Sequence, residues 1–213
     1  MSRTVGSYGP KTMEAIRQAG LRLIHRHGYE AMTLRQLAAE VGLQVGSLYN
    51  HINNKQDFLF DLVTSHMETL LAALDQAVGD KGDASALLRD FIAFHVTYHI
   101  HRKLEVFICF SELRSLEPEN YRAVVAMRRA YERRLEDILQ RGVAERTFAI
   151  ADTRVASFCI LAMLTGVCTW FTPGGRLSVE QVVAISTSMV MDGVAARPGA
   201  QAALSRPEGL QIA

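Results

Sequence analysis

Residues 33–55, TLRQLAAEVGLQVGSLYNHINNK, restrict the possible folds more than any other part of the chain. Thr33 and Gln36 have the spacing of a capping box, in which two side chains bond to exposed N–H groups of a first helical turn. Apolar residues then recur at helical spacing, and Gly42 stands where helices most often end in the left-handed conformation. The pattern predicts a short helix that ends in a tight turn.

A second short helix is predicted after that turn, over about Val45–His51. Leu48 and Ile52 form its apolar side, and small or polar residues form its other side. Two such helices joined by a glycine turn make a helix-turn-helix, whose second helix enters the major groove of DNA. The residues expected to contact DNA are Thr33, Arg35, Gln44, Val45, Gly46, Ser47, Tyr49, Asn50, His51 and Lys55.

These residues differ in the part of DNA that each is expected to contact. Lys55 and Tyr49 are expected to hold phosphate groups, together with the N-terminus of the helix that opens at Thr33. Val45 can contact a thymine methyl group. The side chains expected to reach base edges are Arg35, Gln44, Ser47 and Asn50.

The same stretch resembles the tetracycline-repressor (TetR) family of bacterial transcription regulators. The most specific part of the likeness is the run Leu48–Lys55, which fits the family's L-Y-x-H-x-x-x-K ending. Gln44 departs from the Ser or Thr that the family usually has there, so the second helix has a weaker cap. The resemblance implies a repressor that binds a pseudo-palindromic double-stranded operator as a homodimer, because two half-sites require two subunits.

The charge of the chain is unevenly distributed. Residues 1–55 contain seven Lys or Arg and three Asp or Glu, a formal charge of +4, whereas the whole chain carries +1, so residues 56–213 carry −3. A basic end is expected where a chain contacts phosphate groups. The charge distribution therefore agrees with DNA binding by the N-terminal end.

Composition also indicates where the protein works. The longest apolar run, Ser157–Phe171, is shorter than the roughly 18 residues of a membrane span, and the N-terminus lacks the apolar region of a signal peptide. Cys109, Cys159 and Cys168 lie in apolar contexts and are expected to be reduced, buried thiols. A cytoplasmic protein without membrane contact is predicted.

Helical patterns predict an all-α fold with no strand. An N-terminal three-helix helix-turn-helix domain is expected over residues 1–55, a helical ligand-binding and dimerisation domain over 56–196, and a flexible tail over 197–213. The first predicted helix, about 11–26, packs behind the helix-turn-helix. The later helices are predicted at about 55–78, 84–101, 103–116, 119–146, 152–171 and 179–195. Ser178 and Gln181 have the spacing of a second capping box, which opens the last of these helices.

The last two predicted helices, about 152–171 and 179–195, are apolar on nearly every side. Such helices are buried, and at the end of a small domain a partner can bury them. Family resemblance favours a four-helix homodimer interface built from two copies of this pair. A thick core within one chain is the alternative.

The C-terminal part resembles, more loosely, family members that respond to acyl-CoA. The likeness lies in 112–116, 126–132 and 170–178 and implies a small hydrophobic effector, which needs an apolar slot with basic groups at its mouth. Alternatively, the aromatic residues pack in the core and the arginines lie on a solvated helix face. The candidate ligand-binding residues are Phe91, Phe94, His95, Tyr98, Phe107, Phe110, Arg114, Met127, Arg128, Tyr131 and Trp170, with Arg102, Lys103 and Arg129 as further phosphate partners.

Two other functions are weighed against this one. His95 and His99 share a helix face near His101, which allows a metal sensor, but no further Cys or carboxylate has convincing zinc spacing. The chain has no Gly-rich phosphate loop and no G-x-S-x-G elbow, so no enzyme, cofactor, metal or catalytic residue is expected. A free fatty or aromatic acid remains an alternative effector, and thioester processing with His95, His99 or Glu112 as acid or base is the weakest alternative.

The predicted helix at 55–78 connects the two expected domains. An effector that fills a pocket near residues 91–131 and 158–171 is expected to tilt this helix. The two recognition helices of a dimer would then depart from the roughly 34 Å spacing of successive major grooves. The sequence therefore predicts release from the operator on effector binding.

Overall fold

The computed structural model describes residues 9–79 and 81–196. All regular elements within these ranges are helices, and a single antiparallel bridge joins Phe148 to Ala195. The all-α fold class is thereby confirmed. The expected tail, residues 197–213, lies outside the described residues.

Ten α-helices form the described part of the chain, and a short 3-10 helix, Leu113–Ser115, follows the sixth. The α-helices are α1 Gly9–His27, α2 Leu34–Glu40, α3 Val45–Leu48, α4 Lys55–Ala77, α5 Ala84–His101, α6 Lys103–Ser111, α7 Pro118–Ala144, α8 Thr153–Thr165, α9 Val167–Trp170 and α10 Val179–Val194.

The capping boxes that the sequence predicts are present. Thr33 Oγ1 accepts a hydrogen bond from the Gln36 N–H at 3.2 Å, and Gln36 Oε1 accepts one from the Thr33 N–H at 2.8 Å. Ser178 and Gln181 form the same reciprocal pair at the start of α10. These bonds satisfy N–H groups that a helix start otherwise leaves exposed, which explains why α2 and α10 begin where the sequence indicates.

Two predicted helices are shorter than expected. The helix predicted over 103–116 ends at Ser111 and gives way to the 3-10 turn. The helix predicted over 152–171 is interrupted at Gly166, where the Thr169 N–H bonds to the Gly166 carbonyl, three residues back instead of four. Glycine costs about 1 kcal/mol in a helix interior, so a tighter turn replaces the α-helical bond there.

The chain forms two compact units. The first contains the residues up to Ala72 together with His101–Arg129, and the second contains Ala73–Ile100 and the residues from Ala130 onward. The first unit therefore includes more of the chain than residues 1–55. Leu37 of α2 and Leu48 of α3 are fully buried in a core that also contains Ile108 of α6.

Polar contacts reinforce the first unit. The side chain of Gln56, at the start of α4, donates to the Ser115 carbonyl at 2.9 Å and accepts from the Glu117 N–H at 3.2 Å. Arg17 of α1 and Asp61 of α4 form a two-point ion pair at 2.7 and 2.8 Å. Both contacts hold the first half of α4 against its neighbours within this unit.

The second unit has an apolar interior built mainly from α5 and α7. Leu88, Phe91 and Ile92 of α5 are fully buried, as are Leu135 and Leu139 of α7. This interior is the part of the chain in which a ligand pocket is expected.

The cysteines differ from the prediction. All three described thiols are free, but only Cys109 is buried, whereas Cys168 is partly exposed and Cys159 is exposed. The prediction of buried thiols was therefore wrong for Cys159. This residue lies on α8 beside the exposed Phe158, because that side of the helix has no covering within one chain.

The segment Thr153–Trp170 is long and apolar enough to cross a membrane, and 22% of it is buried within the chain. Length and composition are the only basis for that possibility, and the segment is broken at Gly166. This segment of 18 residues is longer than Ser157–Phe171, the apolar run that was identified in the sequence.

The close approach of α1 and α4 makes a prediction about stability. A Cβ atom on Gly20 would overlap the ring of Phe58, which is fully buried. We expect Gly20→Ala to lower the free energy of unfolding by about 1–3 kcal/mol, because overpacking outweighs the better helix propensity of alanine. Urea unfolding followed by circular dichroism measures this change.

Gly9→Ala is the matched control on the same helix. No atom lies within 4 Å of its added Cβ, so stability should change by less than about 0.5 kcal/mol. A Gly20→Ala protein as stable as the parent would contradict the packing argument.

Candidate DNA-binding surface and ligand-domain interior

The turn between α2 and α3 is built as the sequence predicts. Gly42 has φ +67°, the left-handed conformation that glycine adopts without a steric penalty. The Leu43 N–H bonds to the Ala38 carbonyl at 2.8 Å, and the Leu43 side chain packs against the core. The turn thereby positions α3 against α2 with its apolar side inward.

The predicted DNA-contacting residues lie mostly on the exposed side of this motif. Tyr49 is 52% exposed, whereas Val45 and His51 are half-buried and Val45 packs against the core. The motif therefore presents a polar surface around α3. The other exposed members of the predicted set are Thr33, Arg35, Gln44, Gly46, Ser47 and Asn50.

The second helix of the motif is shorter than predicted. It ends at Leu48, so Asn50 and His51 belong to a tight turn, in which the Asn50 N–H bonds to the Ser47 carbonyl at 3.3 Å. Gln44 occupies the N-cap without a side-chain cap bond. A weakly capped helix of four residues has little intrinsic stability, so its placement depends on the buried Leu48.

Lys55 makes two contacts within the chain. Its ammonium group donates to the Glu30 carbonyl at 2.9 Å and lies 4.3 Å from the centre of the Tyr29 ring. A lysine ammonium has three donors, so these contacts position the group and leave donor capacity for a phosphate. The role of Lys55 in DNA binding remains a prediction.

Six of the predicted ligand residues lie in the second unit. Phe91 is fully buried, with its ring centre 5.6 Å from that of Tyr131 and 6.0 Å from that of His95. Phe94 and Tyr98 are half-buried and pack on each other with ring centres 5.4 Å apart. Phe91, His95 and Tyr131 therefore form one buried aromatic group. The sixth residue, Trp170, is 57% exposed and does not belong to this interior.

The aromatic group contains a chain of hydrogen bonds. The two ring nitrogens of His95 lie 2.9 Å from the Tyr131 hydroxyl and 3.1 Å from the Thr165 hydroxyl. His99 stacks on His95 with ring centres 3.8 Å apart, and its Nδ1 donates to the His95 carbonyl at 2.8 Å. Because a carbonyl only accepts, Nδ1 of His99 carries a proton.

Burial keeps both imidazoles neutral. It lowers the pKa of His99 to about 4 and, with a smaller contribution from the neighbouring His99, lowers the pKa of His95 well below 6.5. Burial also raises the pKa of the Tyr131 hydroxyl. The interior of the second unit therefore offers neutral hydrogen-bonding groups near neutral pH.

The geometry does not favour a metal site at these histidines. Both nitrogens of His95 are within hydrogen-bonding distance of hydroxyl groups, and His101 is exposed. No group of three or more His, Cys, Asp or Glu side chains suited to a metal ion occurs in residues 9–79 and 81–196. The histidine pair is better described as a polar element of the core.

The remaining five predicted ligand residues lie in the first unit. The exposed Phe107 ring meets the His25 ring edge-on at 4.8 Å, and the Arg128 guanidinium lies 4.4 Å from the centre of the exposed Phe110 ring. Arg128 also donates to the Cys109 carbonyl at 3.4 Å. The other two are Met127, half-buried, and Arg114, exposed.

A partly open cavity of about 230 Å³ lies in the second unit, and Phe91 is its only lining residue that the sequence analysis proposed. The arginines Arg134 and Arg141 line it as well. With Asp137 they place three charged residues on one face of α7. This spacing is visible in the sequence and could have identified the charged side of the cavity. No pattern of neighbouring residues in the sequence indicates that the C-terminal end of α4 lies opposite these charged residues.

Comparison with known proteins decides the family. The profile of bacterial regulatory proteins of the tetR family matches residues 16–62, and the profile of the tetracyclin-repressor-like C-terminal domain matches residues 81–194, more than half of the chain. The chain belongs to the TetR family. The predicted family membership is confirmed.

Individual TetR-family proteins resemble this chain over most of its length. The transcriptional repressor KstR2 of Mycolicibacterium smegmatis is 26% identical over 174 residues, which cover 81% of this chain and 85% of that protein. The crystal structure of PfmR from Thermus thermophilus is 29% identical, with a TM-score of 0.76, and covers 83% of this chain and 97% of PfmR.

A third TetR-family relative was solved with its ligands. The structure of AibR in complex with isovaleryl coenzyme A and operator DNA is 26% identical, has a TM-score of 0.77, and covers 84% of this chain and 97% of AibR. Regulators of this family bind operator DNA and act as dimers. The chain is therefore a transcription regulator of the TetR family.

Base reading by this TetR-family chain can be tested at Asn50. We expect Asn50→Ala to relax sequence preference at one or two positions of each half-site, at a cost of about 1–3 kcal/mol per lost bidentate contact. Selection of operators from a random DNA library measures the preference. Asn120→Ala, on α7 and outside the motif, is the matched control. An unchanged selected sequence for Asn50→Ala would refute the assignment.

The buried histidine pair predicts how stability depends on pH. The folded-state pKa of His99 lies near 4, below the unfolded value of about 6.5, so between these values the unfolded state binds more protons. The free energy of unfolding should therefore fall by about 2 kcal/mol between pH 7 and pH 5, and His95 should add to the fall.

Urea unfolding at a fixed protein concentration across this pH range measures the effect. His99→Gln should reduce the slope, whereas His27→Gln, which changes an exposed residue, should leave it as in the parent. Equal slopes for the parent and His99→Gln would rule out a buried neutral His99.

Proposed function

We propose that this chain represses transcription as a cytoplasmic homodimer on a pseudo-palindromic operator and is released by a small hydrophobic effector such as an acyl-CoA. One observation carries the proposal. The exposed side chains Arg35, Ser47 and Asn50 surround a capped helix-turn-helix within the stretch that matches the family. Because these side chains are exposed and do not pack in the core, they are suited to hydrogen-bonding with base edges.

The contacts with DNA follow from this surface. Arg35, Gln44, Ser47 and Asn50 reach base edges, and Lys55 with Tyr49 binds phosphate groups. The first turn of α2, capped by Thr33, adds backbone N–H groups toward the phosphates. In the proposed division of the chain, residues 1–55 bind DNA and residues 56–196 bind ligand and form the dimer.

The proposed dimer interface is the apolar side of α8 and α10. Phe158 on α8 and Ile185 and Met189 on α10 are exposed, and Met189 is 60% exposed. Large apolar side chains exposed on two helices of a chain with its own core favour a protein interface there. Two copies packed through these helices bury that surface as a four-helix bundle, which accounts for the apolar character of Thr153–Trp170 without a membrane.

The proposed effector is a small molecule with an apolar part. The second unit has an apolar interior that includes Phe91, and its buried polar groups at His95 and Tyr131 can orient a carbonyl or hydroxyl group. The relative AibR was solved with isovaleryl coenzyme A, which supports an acyl-CoA as the first class to test. A ligand releases the operator only if it binds the DNA-incompetent dimer more tightly than the competent one.

A free fatty or aromatic acid is the second candidate effector. The observation in its favour is the size of the cavity beside Phe91, about 230 Å³, which is below the roughly 300–1,000 Å³ of typical pockets for drug-sized ligands. A free acid lacks the coenzyme A moiety and therefore occupies a smaller volume than the corresponding acyl-CoA. The two candidates can be separated by adding each to the operator complex.

The proposed interface makes a prediction about assembly. Met189→Glu should convert the dimer to a monomer, because two charges would be buried in an apolar seam, and should lower operator affinity at least tenfold. Light scattering after size-exclusion chromatography measures the mass. Val143→Glu changes another exposed apolar residue, on α7, and should remain dimeric. A dimeric Met189→Glu protein would place the interface elsewhere.

The experiment that tests the effector uses the single tryptophan. Trp170 lies next to the proposed interface and is exposed within one chain, so a change in dimer packing should alter its fluorescence. We expect octanoyl-CoA to change Trp170 emission and to release labelled operator DNA over the same concentration range. By linkage, operator DNA must weaken effector binding by the same factor. Saturating ligand that leaves operator affinity unchanged would exclude octanoyl-CoA as the effector.

A further inference from the structure

The cavity in the second unit lies against the C-terminal end of α4. Its walls come from the last turns of α4, the first turns of α5 and the C-terminal half of α7. Most of its lining is apolar, which provides contact area for an aliphatic or aromatic group. The apolar lining residues are Leu74, Val78, Leu87, Phe91 and Ile138.

Three charged residues of α7 complete the lining: Arg134, Asp137 and Arg141. Their spacing of three and four residues places them on one helix face. Two arginines and one aspartate form this charged edge, and the carboxylates of Asp75 and Glu145 pair with the arginines beside it. The cavity therefore combines an apolar wall with an edge that carries two guanidinium groups, which can hydrogen-bond a carboxylate.

Both arginines are held near the cavity by contacts within the second unit. Arg134 Nη1 lies 3.1 Å from a carboxylate oxygen of Asp75, which belongs to α4. Arg141 Nε lies 2.7 Å from a carboxylate oxygen of Glu145, and Arg141 also donates to the Gly82 carbonyl. The arginine side chains are about 40% exposed, so a ligand can reach them from solvent.

We propose that this cavity binds a compact monocarboxylic acid, with its carboxylate at Arg134 and Arg141 and its apolar body against Leu74, Val78 and Leu87. Planar guanidinium groups match a carboxylate through paired N–H bonds. The volume of about 230 Å³ is below the roughly 300–1,000 Å³ of pockets for drug-sized ligands, so a compact free acid is the class that we assign to this cavity.

The site also connects ligand binding to α4. Arg134 pairs with Asp75, so a bound carboxylate competes with Asp75 for the same guanidinium group. The ligand thereby replaces a contact that holds the last turns of α4. An effect of this exchange on DNA rests on the proposed function, whereas binding of the acid does not depend on it.

Binding is tested on the full-length protein by isothermal titration calorimetry with sodium hexanoate and sodium phenylacetate. Hexan-1-ol has the same apolar chain as hexanoate without the charge, and inorganic phosphate has charge without the chain. We expect both acids to bind at least tenfold more tightly than either comparison compound. Equal affinity for hexanoate and hexan-1-ol would overturn the role of the arginines.

Charge variants test the residues. Arg134→Gln and Arg141→Gln should each weaken hexanoate binding about tenfold, the effect of losing one charge-assisted hydrogen bond. Arg133→Gln, an exposed residue of the same helix, should leave the affinity unchanged. Asp75→Asn should strengthen binding, because it removes the competitor for Arg134. Weaker binding in Asp75→Asn would contradict competition at Arg134.

A cavity-filling variant separates this site from the proposed function. Leu87→Phe places a larger side chain in the apolar wall and should abolish hexanoate binding without removing a charge. Unchanged hexanoate affinity in this variant, with the parent fold shown by circular dichroism, would overturn the site. Loss of hexanoate binding in this variant supports the site. If, in addition, no ligand releases operator DNA, only the proposed function is overturned.

Discussion

The DNA-binding motif rests on a hydrophobic core that extends beyond its own three helices. A segment of about 55 residues buries so little apolar surface that its stability by itself is marginal, and α3 is a single turn without a side-chain cap. Leu37 and Leu48 are fully buried in one core with Ile108 of α6 and Val124 of α7. The core beneath α3 therefore continues into helices that lie 60 or more residues further along the chain.

This shared core changes where regulation can act. Gln56 ties the first turn of α4 to the backbone at Ser115 and Glu117, and α4 is one continuous helix from Lys55 to Ala77. A displacement of either segment would alter the support under α3. The sequence predicts α4 as the connector, and the contacts within the first unit add the turn after α6 as a second segment tied to the first turn of α4.

Local patterns in the sequence predict the helix-turn-helix well because its determinants are local. The caps at Thr33 and Ser178 and the left-handed Gly42 depend on residues within one turn, and all were predicted correctly. The exposure of Cys159 and the cavity beside Arg134 depend on which distant helix lies opposite. Apolar periodicity does not encode that choice, so the burial of Cys159 was predicted wrongly and the cavity was missed. The DNA and effector contacts stay predictions, since they need a bound partner to be tested.

The buried histidines show how polar groups can remain in a regulator's core. His95 satisfies both nitrogens through the hydroxyl groups of Tyr131 and Thr165, so each imidazole is buried without an unpaired charge. Such a network specifies one arrangement of α5, α7 and α8, because any shift of these helices within the second unit breaks a buried hydrogen bond. A ligand whose carbonyl or hydroxyl group replaces one of these partners could stabilise a second arrangement at little cost. Two arrangements of similar energy are what an effector needs in order to change the affinity for DNA.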